Sequence, residues 1–301
     1  MKSLRLSRIV NRVTAGRVKY GWWSAPWTSA ERPIVIGGAS RSGTTLLKSL
    51  LNAHRDVMIG PETGIFNTAP EAERLAGHTG FSVDEVQRII YRSPTLGDFF
   101  QRLNTAMMVR DGKKVWGEKT PSNIRHIAAV FRAFPRARFI HALRDGRDAT
   151  CSLRTHPKYR WENGARVETG VLNPWPECVQ HWVVDVSSAL PFRGDARYVE
   201  VRYESLVADP ERTLRGLLAW LELHWDPELL TRPRNDRALQ QPRLPGPIDA
   251  AVVGRWRRDL SAEGRGAFRG EASRLLHEFG YAADDSWIDE EPEPAPCHTG
   301  S

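Results

Sequence analysis

IVIGGASRSGTTLLKSLL, residues 34–51, is the stretch on which the reading of this chain turns. Ile34 to Ile36 form an apolar run closed by Pro33 and Gly37, the pattern of a buried strand, and from Gly43 to about Ala53 the leucines recur with a helical period. Gly37, Gly38 and Gly43 fall in and around the connection. Glycines let a loop curl with its N–H groups turned inward, and a helix N-terminus adds partial positive charge and spare donors, so this order of elements builds an anion site. Ser42, Thr44 and Thr45 add hydroxyls. Gly38 and Gly43 have the separation found in GxxxxGK[ST], but position 44 is threonine where a nucleotide-hydrolysing loop carries lysine. An ATP reading therefore loses its main cation. The cation on offer is Arg41, inside the loop, whose planar guanidinium can fork onto phosphate or sulfate oxygens.

Working outward, the strand-loop-helix pattern repeats. Phe139 to Leu143 read as a strand followed by a helix from Arg144 through Ser152, and Tyr198 to Val201 as a strand before a helix over 210–221 with Leu214, Leu217, Leu218 and Leu221 on one face. Between the first two units, Val83 to Tyr91 and Leu96 to Met108 have helical periodicity, Val115 to Gly117 is a short strand, and Ser82 with Glu85 forms a capping box. Alternating strands and helices predict an α/β fold, a parallel sheet flanked by helices on both faces. No internal repeat is found.

The 301 residues, 41% hydrophobic and 26% charged, exclude a collagen-like fibre, a small disulfide scaffold and a mainly disordered chain. We divide them into a basic amphipathic arm (1–31), one main domain (32–283) and an acidic, proline-rich tail (284–301) predicted to be disordered. In the arm, Leu6, Ile9, Val10 and Val13 share a helix face among six bases, which suits packing on the domain or a peripheral membrane contact. The formal charge is +7, and the six acids of the tail leave 1–283 strongly basic, so an anionic partner is expected: nucleic acid, acidic lipid or a phosphorylated small molecule. Cys151, Cys178 and Cys297 have no CxxC spacing and read as reduced thiols; with no apolar run long enough to span a bilayer and no secretory apolar segment, a cytoplasmic protein is expected.

GGASRSGTTLL resembles the 5′-phosphosulfate loop of sulfotransferases that use 3′-phosphoadenosine 5′-phosphosulfate (PAPS), especially the branch that includes the protein-tyrosine enzymes. ALRDGRDATCSL (142–153) resembles that family's 3′-phosphate element, and GEKTPSN (117–123), VRYESLVADPERTLRGLLAWLEL (201–223) and VGRWRRDLS (253–261) resemble further family segments in the family's order. The likeness covers roughly residues 33–280. It implies a P-loop-like sulfotransferase architecture, PAPS as co-substrate, no required metal, and two anion cradles at opposite ends of an adenosine. The first is Arg41, Ser42, Gly43, Thr44 and Thr45; the second is Arg144 and Ser152, with Tyr203 and Arg255 as further candidates.

Sulfuryl transfer resembles phosphoryl transfer in needing positioned charge more than covalent help from the protein. Glu62, in MIGPETGIF, follows a second short extended stretch and so returns to the strand ends; it also aligns with the glutamate base of the tyrosyl-protein branch. A carboxylate base is tuned by burial. His54 is the rival, but its place at the end of the loop helix implies a structural role. Arg41 and Lys119 match cations that the related branch places on the bridging and sulfate oxygens, and Glu118 is placed to support Lys119 or the acceptor. No HxH, HExxH or DxD pattern calls for a metal.

The chain departs from the family pattern at His54-Arg55, where His-Pro is usual, and at Arg41, where the cytosolic branch has lysine; the latter favours the protein or carbohydrate branches. Golgi members carry a membrane anchor, and none is read here. Segments 64–114 and 155–195 are where an acceptor pocket is expected, built from aromatics such as Phe99, Phe100, Tyr159, Trp161 and Trp175. The preferred acceptor is a hydroxyl on a carbohydrate, glycolipid or natural product, with a peptide tyrosine as the alternative and a P-loop small-molecule kinase behind both. Specific nucleic-acid binding is not expected.

Overall fold

Continuous burial marks the first strands of the main sheet. Ile34–Gly37 (β1) buries all four residues, as does Val57–Gly60 (β2) after the helix Thr44–Asn52 (α1). Strands covered on both faces read this way, because helices lie above and below. The computed structural model describes residues 26–162, 165–230 and 252–293. Within it, Ala72–Thr79 (α2), Val83–Arg92 (α3) and Leu96–Arg110 (α4) lead to Val115–Lys119 (β3); Ile127–Ala133 (α5) leads to Arg138–Leu143 (β4). Gly146–Arg154 (α6), a hairpin of Tyr159–Glu162 (β5) and Ala165–Glu168 (β6), and Trp175–Ser187 (α7) precede Tyr198–Arg202 (β7). Tyr203–Ala208 (α8), Pro210–Leu221 (α9), Trp256–Asp259 (α10), Ala262–Gly266 (α11) and Glu271–Glu278 (α12) complete the described α-helices.

Five strands pair in the order β2-β3-β1-β4-β7, all parallel, and β5 pairs β6 antiparallel in a separate two-stranded sheet. The parallel α/β prediction holds, with β1 in the middle. Side chains alternate across the sheet: Val35 and Phe139 meet Phe99, Phe100, Leu103 and Phe131 on one face, while Ile34, Ile36 and Ile140 meet the leucines of α1 and α9 on the other. A third cluster joins α6 and α7 to the C-terminal helices through Trp182, Trp256 and Phe268. The capping box at Ser82 forms as read, with Ser82 Oγ accepting from Glu85 N and Glu85 accepting from Ser82 N.

Two boundaries differ from expectation. β3 runs on to Lys119 because Glu118 and Lys119, charged residues that end an apolar pattern, are both buried with polar partners. The tail does not begin at Asp284: Trp287 and Ile288 are buried, Trp287 lying edge-on to Trp256 at 5.4 Å, and Arg265 donates to the Trp287 carbonyl at 2.6 Å. Acidic and proline content outweighed these two apolar residues in the sequence, although one buried tryptophan is worth on the order of 4 kcal/mol of area. Residues 294–301, and most of the basic arm (1–25), lie outside the described residues.

β4 also carries a buried histidine. His141 shares a 2.6 Å hydrogen bond with the Tyr198 hydroxyl, which donates to Glu200, and its ring meets Phe279 edge-on. Burial, helped by the nearby Arg193 charge, lowers its pKa from 6.5 to about 3. The folded chain holds the ring neutral while the unfolded chain protonates it, so its contribution is fully present above pH 6.5 and is lost as pH falls toward 3. Wild type should lose ~2 kcal/mol more stability between pH 7 and pH 5 than His141→Gln, read by denaturant melts at both values; parallel losses would refute the assignment.

Candidate active site at the carboxyl edge of the sheet

Because the five strands are parallel, their carboxyl ends share one edge, where open α/β sheets bind ligands. The loop after β1, Glu62 after β2, Lys119 at the end of β3, Arg144 after β4 and Tyr203 after β7 all lie there. Residues read from five separate segments thus meet on one rim.

The loop needs its glycines for space. A Cβ on Gly38 would stand 2.3 Å from the Ala142 carbonyl oxygen, and one on Gly43, at φ 85°, would stand 2.5 Å from the Tyr203 ring. Arg41 adopts φ 70°, a left-handed conformation rare for a residue with a side chain, and such strain is concentrated at functional sites. Gly43 is the N-cap of α1 and supplies no side-chain cap to the first-turn N–H groups. Ser42 is buried, and its hydroxyl has no hydrogen-bond partner among the described residues. A buried polar atom left unmatched costs about 1–3 kcal/mol, which an oxyanion in the loop would offset.

Arg144 and Ser152 come together with the loop. Arg144, 5% exposed, donates to the Arg41 carbonyl at 3.0 Å and to the Val252 carbonyl at 2.9 Å, and its guanidinium lies 4.5 Å from the centre of the Tyr203 ring. Its Nε is buried without a partner among the described residues. Arg41 Nε donates to Ser152 Oγ at 3.1 Å. Burial first, and the Arg144 charge second, hold the Arg41 guanidinium below its ordinary pKa. Two partly desolvated guanidiniums side by side are what an anion would relieve. Arg41 therefore joins the two candidate cradles, its side chain reaching Ser152 from a loop on the neighbouring strand.

The other candidates divide. Tyr203 walls the site, packed between Gly43 and Arg144. Arg255 pairs through its guanidinium with Asp259 at 2.6 Å, one turn on. Its segment does reach the second cradle, through Asp148, which accepts from Gly254 N at 2.7 Å and Trp256 N at 2.9 Å. Sequence reading missed Asp148, although it follows Arg144 by four residues on the next helix.

The catalytic candidates touch one another. Lys119 is 2% exposed; its ammonium donates to the Glu62 carboxylate and, at 3.2 Å, to Thr45 Oγ1 of the anion loop. A cation, a carboxylate and the loop hydroxyl so occupy one spot. Glu62 is not buried as a tuned base would be, its side chain being 52% exposed. His54 serves the fold, its Nδ1 accepting from Asp56 N at 3.1 Å and its Nε2 donating to the His224 carbonyl at 2.9 Å. Beyond Glu62 and Lys119, Phe66 stacks on His126 at 5.6 Å, and Asn67 bridges His126 and Ser122. This aromatic and polar patch was not singled out in the sequence.

A model of the sulfotransferase family matches residues 33–227. Protein-tyrosine sulfotransferase 1 of Danio rerio is 25% identical over 201 residues, covering 65% of this chain and 55% of its own length. Protein-tyrosine sulfotransferase 2 of Gallus gallus is 26% identical over 209 residues, covering 67% and 54%. The chain thus spans about half the length of these curated relatives. Among solved structures, the sulfotransferase domain of the Synechococcus PCC 7002 olefin synthase superposes with a TM-score of 0.65 at 20% identity, covering 87% of this chain and 99% of that one, a likeness of fold. The cytoplasmic expectation does not stand: the matched relatives are protein-tyrosine sulfotransferases, the branch whose Golgi members carry membrane anchors. Among the described residues no helix is long and apolar enough to cross a membrane. The matched segment covers the whole parallel sheet together with both candidate anion cradles and the Glu62–Lys119 pair, and on that match the chain belongs to the sulfotransferase family.

Proposed function

We propose that this protein transfers a sulfuryl group from PAPS to an acceptor hydroxyl, with Glu62 as base. The observation that carries the reading is the meeting of Glu62, Lys119 and Thr45 at the sheet edge, beside a loop whose buried Ser42 hydroxyl has no partner among the described residues. Arg41, Ser42 and the first turn of α1 suit the phosphosulfate, and Arg144 with Ser152 suits the 3′-phosphate. The acceptor oxygen forms a bond to sulfur as the bond from sulfur to the 5′-phosphate oxygen breaks, releasing adenosine 3′,5′-bisphosphate (PAP). Glu62 takes the hydroxyl proton, and Lys119 and Arg41 hold the charge that gathers on the transferred group and the leaving phosphate.

For the acceptor, the ring pair Phe66 and His126 with the Asn67 and Ser122 polar groups suits a flat or sugar-like ring, consistent with a carbohydrate, glycolipid or natural-product hydroxyl. The names of the curated relatives favour a second reading, a peptide tyrosine. Transfer from [³⁵S]PAPS to a panel of sugars, phenols and acidic tyrosine peptides separates them, and strong labelling of the peptides alone would reverse the preference. Titration with PAP should saturate at one site per chain. A protein that ignores PAP but releases phosphate from ATP and Mg²⁺ would be a kinase-like enzyme instead.

A further inference from the structure

The catalytic pair has a buried neighbour whose chemistry the transfer step does not use. Glu118 is fully buried at the end of β3, where the alternation of a strand turns its side chain away from that of Lys119. Its Oε1 accepts from Thr63 N at 2.9 Å, from Thr63 Oγ1 at 2.8 Å and from Thr120 Oγ1 at 2.6 Å; its Oε2 accepts from Asn123 Nδ2 at 2.6 Å. Burial pushes the carboxyl above its ordinary pKa, and these donors pull it back.

The partners are what give this arrangement a purpose. Thr63 follows Glu62 directly and is held by both its backbone and its hydroxyl. Gly64 N donates to Thr120 Oγ1 at 3.2 Å, so the loop is held at a second residue. Asn123 also donates to the Ile36 carbonyl at 3.2 Å, which ties the same carboxylate to β1 just before the anion loop. One side chain thus connects the ends of β1, β2 and β3, the three strands that lead to Arg41, Glu62 and Lys119. A buried carboxylate costs several kcal/mol to desolvate, and an apolar side chain would fill the space without that cost. Geometry near the chemistry is where such a cost is returned, since a 1 Å misplacement can slow a reaction about 100-fold.

We propose that Glu118 is a positioning residue, a buried carboxylate clamp that sets the Glu62 loop against Lys119 and the anion loop. The inference rests on the base reading of Glu62 and goes beyond it. All four bonds need an acceptor, so glutamine cannot replace the carboxylate: its NH₂ group must face either Asn123 Nδ2 or the three donors on the other oxygen.

The test compares Glu118→Gln with Thr63→Val, a smaller change that removes one donor and stands in if the first variant does not fold. Amide exchange over 62–66, the KM and kcat for [³⁵S]PAPS transfer to the best acceptor of the panel above, and PAP binding are measured for each. Glu118→Gln should speed exchange at Thr63 and lower kcat, each about 10-fold or more, while KM for PAPS and PAP affinity stay within about twofold of wild type; Thr63→Val should move the same way by less. Unchanged exchange in the folded variants, or faster exchange with wild-type kcat, overturns the proposal. A drop in PAP affinity equal to the drop in kcat also overturns it, since that is general loosening. If wild-type protein transfers nothing from PAPS, the proposed function fails, and the clamp stands or falls on exchange at Thr63 alone.

Discussion

Replacing Glu62 by glutamine should cut turnover about 100-fold or more while leaving PAP affinity intact, the range that removal of a general base produces. Glutamine keeps the size and the hydrogen-bonding reach of the side chain, so the loop held by Thr63 is not disturbed. What it loses is the ability to take a proton. Lys119 keeps its bond to Thr45 Oγ1 and is relieved of the competing carboxylate, so an anion in the loop is held at least as firmly as before. Glu62 is half exposed, which lets an acceptor hydroxyl approach it without displacing buried structure. Steady-state transfer from [³⁵S]PAPS measures the change, and wild-type turnover in the variant would remove Glu62 from the mechanism.

Loss of the Arg144 guanidinium has a different signature. Arg144→Ala should weaken PAP binding by about 2 kcal/mol or more, roughly 30-fold, as for a lost charge-assisted contact. Three effects act in the same direction. The unpartnered Nε is removed, the ring of Tyr203 loses the cation it covers, and the carbonyls of Arg41 and Val252 lose their donor. The last effect reaches the left-handed Arg41, which that bond steadies. Calorimetric titration with PAP reads the result; equal affinity would take the second cradle out of the site.

Much of this site was legible in the chain. The apolar run of β1, the glycines after it and the leucine period of α1 are local signals, and they give both the elements and the anion loop between them. The second strand-to-helix unit, at Arg144, was legible for the same reason. Other features left no local trace. Arg41 and Ser152 are 111 residues apart, and their contact follows from β1 and β4 being neighbours in the sheet. The pairing of Arg255 with Asp259, one turn on, is likewise a contact that spacing alone does not select. Glu118 was noticed beside Lys119, but the four donors on it come from three places in the chain.

Short-range pattern, then, determined the strand-loop-helix units, the basic character and the kinds of side chain available for sulfuryl transfer, because periodicity and glycine spacing act within a few residues. Tertiary structure alone decided that Glu62 would meet Lys119 half exposed rather than buried, that Arg41 would link the two cradles, and that Trp287 would fold back onto Trp256. These outcomes depend on parallel pairing, which gathers strand ends far apart in sequence onto one rim, and on burial, which makes each polar group find a partner wherever the fold supplies one.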